Sequence, residues 1–240
     1  MLYINFMEIS KYYSPNYDKK ARSSKSITLI IIHYTGMQSE RESIKRLVNS
    51  KSKVSCHYLI NRKGKIFNMV NDQNIAWHAG KSMWQKYSNL NKNSIGIELV
   101  NRGHKYGYQN FTRKQINALV KLCKKLKRKY RIKNRFILGH SDIAPVRKID
   151  PGEKFPWNYL CSKGIGIYPN KIKEIKTHKK ANNFKGFFKN LNEIGYRYLK
   201  GKFRKKIIKN FQRRYRQKKV DGILDLETFQ ISEILAKNQI

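Results

Sequence analysis

The sequence predicts an α/β fold: a mixed central sheet flanked by helices, followed by a small C-terminal three-helix module. Three observations carry this expectation. Two short runs rich in β-branched and aliphatic residues, "ITLIIIHY" (27–34) and "NSIGIELVN" (93–101), have the composition of strands buried on both faces. Helical apolar periodicity alternates with those runs up to about residue 165, the pattern of helices covering a sheet. Beyond that point only helical periodicity remains. A chain of 240 residues, 40% of them hydrophobic, is long enough for one sizeable core and a small second unit.

The elements follow in order. His33 stands at the C-terminal end of the first apolar run. "SERESIKRLVN" (39–49) predicts a helix with Ser39 as its cap and acidic residues in its first turn, where the helix dipole favours them. "SCHYLINRKGKIFNMV" (55–70) places two apolar stretches around Arg62, Lys63 and Gly64, the pattern of a β-hairpin. In "FTRKQINALVKLCKKLKRKY" (111–130), Ile116, Leu119, Val120, Cys123 and Leu126 fall at helical spacing. "RFILGH" then reads as a strand that delivers His140. The polar stretch from Tyr168 to Asn183 reads as a linker. After it, Phe203, Ile207, Phe211 and Tyr215 recur every fourth residue, and Asp225 caps a last helix bearing Leu226, Phe229 and Leu235.

The charge is extreme: 53 Lys and Arg against 15 Asp and Glu, a formal +38. Such a surface attracts polyanions in general, but no nucleic-acid motif with a docking geometry accompanies it, so specific nucleic-acid binding is not expected. Cys56, Cys123 and Cys161 are odd in number and lack paired spacing, which argues against a disulfide framework. No apolar run approaches the ~20 residues of a membrane span. No export signal is visible at the N-terminus, so cytoplasmic residence is the default expectation, with action on the cell wall left open.

The chemistry concentrates in "LGHSDIAPVRKIDPGEKFPW" (138–157) and at two strand ends. His33 and His140 terminate separate strands, and Asp150 follows His140 by ten residues across a Pro-containing loop. Two imidazoles and a carboxylate could compose a catalytic zinc site with a fourth position for water, although a histidine at a strand end is more often a satisfied core or surface residue than a ligand. Glu98 is the one charge inside its strand. It must be paired, metal-bound or exposed in a cleft, either as a general base or as the partner of a lysine. His57 reads as a core histidine, Asp142 as a residue that serves the local backbone, and His104 and His178 have no motif around them.

Five ordered blocks, "IIIHYTG", "SCHYLINRKGKIFNMV", "IAWHAG", "NSIGIELVNRG" and "GHSDIAPVRKIDPGEKFPW", resemble the zinc-dependent type 2 N-acetylmuramoyl-L-alanine amidases, relatives of phage amidase lysozymes and peptidoglycan recognition proteins. The likeness covers roughly residues 22 to 163. It implies that His33, His140 and Asp150 bind one zinc ion, that Glu98 acts as base or orients the water, and that Lys148 stabilises the oxyanion. It also implies a cleft-side position for Trp77 and His78, as sugar contacts or as packing. The implied reaction is hydrolysis of the bond between N-acetylmuramic acid and L-alanine in peptidoglycan or muropeptides, by a monomer. The alternative is a non-catalytic peptidoglycan receptor on the same fold, which would be expected to lack a ligand. One departure is Cys56, where phage and animal relatives often have a tyrosine. Residues 209–235 resemble the three-helix peptidoglycan-binding module through the "VDG" turn and the Thr opening the last helix, with "ILDLET" where that family usually has Gly-Pro. The expected organisation is an amidase domain over 22–165, a linker over 166–186 and the helical module over 187–240.

Overall fold

The computed structural model describes residues 9–169 and 181–237. Residues 170–180 of the expected linker, His178 among them, lie outside the described residues. The strands are β1 (Ile9–Lys11), β2 (Tyr17–Asp18), β3 (Leu29–Tyr34), β4 (Tyr58–Ile60), β5 (Ile66–Asn68), β6 (Ile75–Ala76), β7 (Met83–Trp84), β8 (Tyr87–Ser88), β9 (Ser94–Leu99) and β10 (Ile137–Gly139). The helices are α1 (Glu40–Val48), α2 (Arg113–Tyr130), α3 (His140–Ile143), α4 (Trp157–Ser162), α5 (Phe184–Ile194), α6 (Arg204–Tyr215) and α7 (Leu226–Lys237).

The central sheet has six strands in the order β1-β5-β4-β9-β3-β10, and only the β4–β5 hairpin pairs antiparallel. The hairpin turns at Gly64, whose φ of +86° suits glycine and where a Cβ would meet the Lys114 carbonyl oxygen at 2.7 Å. The two apolar runs form the adjacent central strands β3 and β9, as their composition requires. Alternate side chains go to opposite faces. Ile30, Ile32, Ile95, Ile97 and Leu99 pack against Ile116, Leu119, Leu122, Cys123 and Leu126 of α2 and against Trp157 and Leu160 of α4. Two caps fall where the sequence puts them, with Ser39 accepting from the Glu42 N–H and Asp225 from the Thr228 N–H, and Thr112 caps α2 by accepting from the Gln115 N–H.

The opposite face carries Leu29 and Ile31, and these join Leu138, Ile143 and the apolar sides of α5, α6 and α7, including Phe187, Leu191, Ile207, Phe211 and Ile231, in one buried cluster. The three C-terminal helices therefore share a core with the sheet. Helix α5 begins at Phe184, inside the stretch expected as linker. Among the described residues no helix is long and apolar enough to cross a membrane.

Candidate active site

In-register residues of neighbouring parallel strands present their side chains to the same face, so the register of β3 selects the site. His33 pairs with Glu98 of β9, and Ile32 pairs with Gly139 of β10, which sets His140 directly beside His33 at the C-terminal edge of the sheet. That edge is where open α/β sheets bind ligands. Asp150 returns to it because the loop folds back, with the Ser141 N–H donating to the Asp150 carbonyl at 2.9 Å.

His33 Nδ1, His140 Nδ1 and Asp150 Oδ2 form a triangle with sides of 3.0, 3.1 and 3.2 Å. All three residues are buried. Ligands of a tetrahedral zinc ion at about 2.0–2.1 Å lie roughly 3.3 Å apart, so the donor set fits a small cation with little adjustment. The donors are also chemically suitable. Burial, followed by the neighbouring His140, lowers His33 to about 4, so the imidazole is neutral with a lone pair to offer. Burial alone would raise Asp150, but His140 and His33 hold its carboxyl well below the usual carboxylate range, so it is an anion.

These groups line a cleft of about 410 Å³ together with Glu98 and Lys148. Glu98 lines the cleft, and its Oε2 is buried without a hydrogen-bond partner among the described residues. Burial and then the charge of Asp150 push the Glu98 carboxyl up to about 8, against the pull of Lys148 and Arg46. Trp77 also lines the cleft, with its indole N–H donating to Asp18 Oδ1 at 2.7 Å. His78 contributes to the cleft wall but is only 9% exposed, and its ring nitrogens face His33 and Ser94. Cys56 is fully buried in an apolar cluster with Leu47, Leu59, Phe67, Met69 and Val100 and does not line the cleft. His57 is a core histidine whose Nδ1 accepts the Gly96 N–H at 2.9 Å.

Other features escaped sequence reading. Arg46 and Lys105 add positive charge to the cleft wall, hidden in the sequence among so many other basic residues. Ser94 and Gly96 share the face of β9 that carries Glu98, and the alternation Ser-x-Gly-x-Glu against Ile-x-Ile-x-Leu was the available signal. The loop is also held from behind by α6. Asp142 Oδ2 accepts from the Gly139 N–H at 2.7 Å and from the buried Arg214 guanidinium, while Tyr196 donates to Asp142 Oδ1 at 2.7 Å. Asn210 Nδ2 donates to the carbonyls of Pro145 (2.6 Å) and Lys148 (2.7 Å).

Comparison with known proteins agrees with this geometry. The family model described as N-acetylmuramoyl-L-alanine amidase matches residues 23–153, more than half of the chain. The chain belongs to this amidase family. Among curated relatives, the N-acetylmuramoyl-L-alanine amidase AmiD of Escherichia coli is 35% identical over 230 residues, covering 87% of this amidase and 82% of AmiD. The 1,6-anhydro-N-acetylmuramyl-L-alanine amidase AmpD of Haemophilus influenzae is 35% identical over 168 residues, 62% of this amidase and 89% of AmpD. Among solved structures, E. coli AmiD in complex with the substrate anhydro-N-acetylmuramic acid-L-Ala-D-gamma-Glu-L-Lys superposes with a TM-score of 0.81 at 32% identity, covering 92% of each chain. The α/β fold and the assignment as an N-acetylmuramoyl-L-alanine amidase thus agree with the reading from sequence.

Proposed function

We propose that this amidase uses a single zinc ion, held by His33 Nδ1, His140 Nδ1 and Asp150 Oδ2, to hydrolyse the amide between the lactyl group of N-acetylmuramic acid and L-alanine in muropeptides, with anhydro-muropeptides as the preferred form. The observation that carries this reading is the convergence of two imidazole nitrogens and one carboxylate oxygen to within 3.0–3.2 Å of one another, in a cleft that also holds Glu98 and Lys148. The anhydro form is favoured by the anhydro substrate bound to E. coli AmiD and by the 1,6-anhydro-N-acetylmuramyl-L-alanine amidase activity for which AmpD is named.

When bound, the metal supplies Lewis acidity toward the scissile carbonyl. Glu98, which lines the cleft, takes the proton of the attacking water and passes it to the leaving amine of L-alanine. The Lys148 ammonium stabilises the oxyanion as negative charge develops on the carbonyl oxygen. Arg46 and Lys105, on the cleft wall, bind the free carboxylates of the stem peptide, and Trp77 stacks on the sugar. The formal +38 charge opposes self-association, and the amidase acts as a monomer. The C-terminal helices, a peptidoglycan-binding-like module in this reading, follow the amidase domain. Incubation with a purified anhydro-muropeptide, read by mass spectrometry, tests the assignment: free stem peptide is expected, with its release abolished by a chelator and restored by zinc. Intact substrate in the presence of one bound zinc per chain would contradict it.

A further inference from the structure

Each of the two imidazole ligands has a second nitrogen, and both of those nitrogens are met by one short segment. His140 Nε2 lies 3.0 Å from the Ala79 carbonyl oxygen and 3.3 Å from Arg147 Nη2, whose two hydrogens go to the carbonyls of Ala79 (2.8 Å) and Lys81 (3.0 Å); the Ala79 oxygen can only accept, so Nε2 carries the proton and Nδ1 is left as a lone pair. His33 Nε2 lies 3.1 Å from His78 Nδ1. His78 Nε2 lies 3.2 Å from Ser94 Oγ, which in turn lies 2.6 Å from the Leu90 carbonyl oxygen.

This second contact has one self-consistent set of proton positions. The terminal carbonyl accepts, so the Ser94 hydroxyl donates to Leu90 and its oxygen is free to accept from His78 Nε2–H. His78 Nδ1 is then a lone pair and accepts from His33 Nε2–H, which leaves His33 Nδ1 unprotonated toward His140 and Asp150. We infer that His78, Ala79 and Ser94 form a positioning shell that sets the tautomer and ring orientation of both imidazole ligands. His78 thereby acts as a positioning residue for His33. This rests on the reading of His33, His140 and Asp150 as a zinc site.

Three independent features are built around that segment. Asn91 Oδ1 accepts from both the His78 N–H (3.1 Å) and the Ala79 N–H (2.7 Å), fixing the backbone from which the two contacts are made. Gly96 lies under the His78 ring: a Cβ there would stand 2.3 Å from His78 Cγ. The residue does not have a positive φ, so the glycine provides room rather than conformational freedom. His33 and His78 meet edge to face with ring centroids 5.1 Å apart, an arrangement in which a ring nitrogen of one points at the other. A histidine that bound a sugar would need a ring nitrogen facing the cleft, and both of His78's are engaged inside the protein.

Partners of this kind typically change metal affinity by 10–100-fold when removed. Zinc affinity, measured by competition with a chromophoric chelator on metal-stripped and reloaded protein, separates the possible outcomes. Tight binding of one zinc by the wild type is required by the zinc-site reading itself, and its absence would overturn that reading. Given tight wild-type binding, His78→Phe is expected to weaken it by about 10–100-fold. His78→Asn, whose Oδ1 can replace Nδ1 as acceptor, is expected to recover most of the loss. Wild-type zinc affinity in His78→Phe would overturn the inference and leave the zinc site standing. A second measurement needs no variant: long-range proton–nitrogen correlation spectra of the zinc-loaded wild type are expected to show His33, His78 and His140 all protonated on Nε2. A proton on His78 Nδ1 would overturn the inference.

Discussion

Asp142, in α3, and Asp150, in the loop that follows it, are both buried, yet the segment uses them oppositely. Asp150 faces two imidazoles and, among the described residues, no guanidinium or ammonium group, so its charge is left for a cation. Asp142 faces away from the cleft and gives its charge to Arg214 and its second oxygen to Tyr196, both from the C-terminal region. A buried carboxylate paired with a guanidinium is already neutralised, and only the one without a permanent counter-charge has a cation still to bind. The same division runs through the two layers that meet at the loop: the sheet edge supplies chemistry, and α6 supplies rigidity through Arg214 and Asn210.

If this division holds, substitutions on the two sides fail in different ways. Glu98→Gln is expected to retain zinc and to unfold at a denaturant midpoint no lower than the wild type, since it removes a carboxyl that burial disfavours, while losing about 10²–10⁴-fold in kcat. Near-wild-type turnover would move the proton-transfer role to another group. Arg214→Met is expected to cost about 3–5 kcal/mol of stability in denaturant unfolding, because it leaves the Asp142 charge buried with hydrogen-bond donors but no cation. Zinc affinity of the fraction that remains folded should be close to wild type, and a loss confined to zinc binding would erase the contrast. Lys148→Met is expected to lower kcat by about 10²–10³-fold with zinc affinity unchanged, read from steady-state kinetics.

The smallest effect concerns pH. Glu153, partly exposed, links His104 to Arg213 of α6. Burial would raise its carboxyl, but the His104 contact, helped by Arg213, lowers it to about 2. A depressed folded-state value contributes stability above the ordinary carboxylate range and loses it as the pH falls toward 2. Between pH 5 and 2 the wild type should therefore lose stability more steeply than Glu153→Gln, as followed by circular dichroism. Parallel curves would show that this link contributes little.

The sequence made one side of the division far more legible than the other. His33, Glu98 and His140 announce themselves because apolar strands end on polar groups, and such ends meet when parallel strands align. His78 was legible as a residue near the cleft, but its bond to His33 depends on the ring packing over Gly96, which periodicity does not encode. Ser94 is not legible in the sequence because the run around it has the composition of a strand buried on both faces, whereas its alternate residues divide between the α2 core and the site. The contact of Arg214 with Asp142 spans 72 residues, and an amphipathic helix states that it has a buried face without stating what covers it. For that reason α5, α6 and α7 could be expected as helices, while their shared core with Leu29, Ile31 and Leu138 could not.

The zinc content of Asp150→Ala tests the central claim most directly. By elemental analysis after dialysis against a weak chelator, the wild type is expected to hold one zinc per chain and the variant close to none, with circular dichroism showing both folded. Full retention of zinc by a folded Asp150→Ala protein would contradict the assignment of His33, His140 and Asp150 as the metal-binding set.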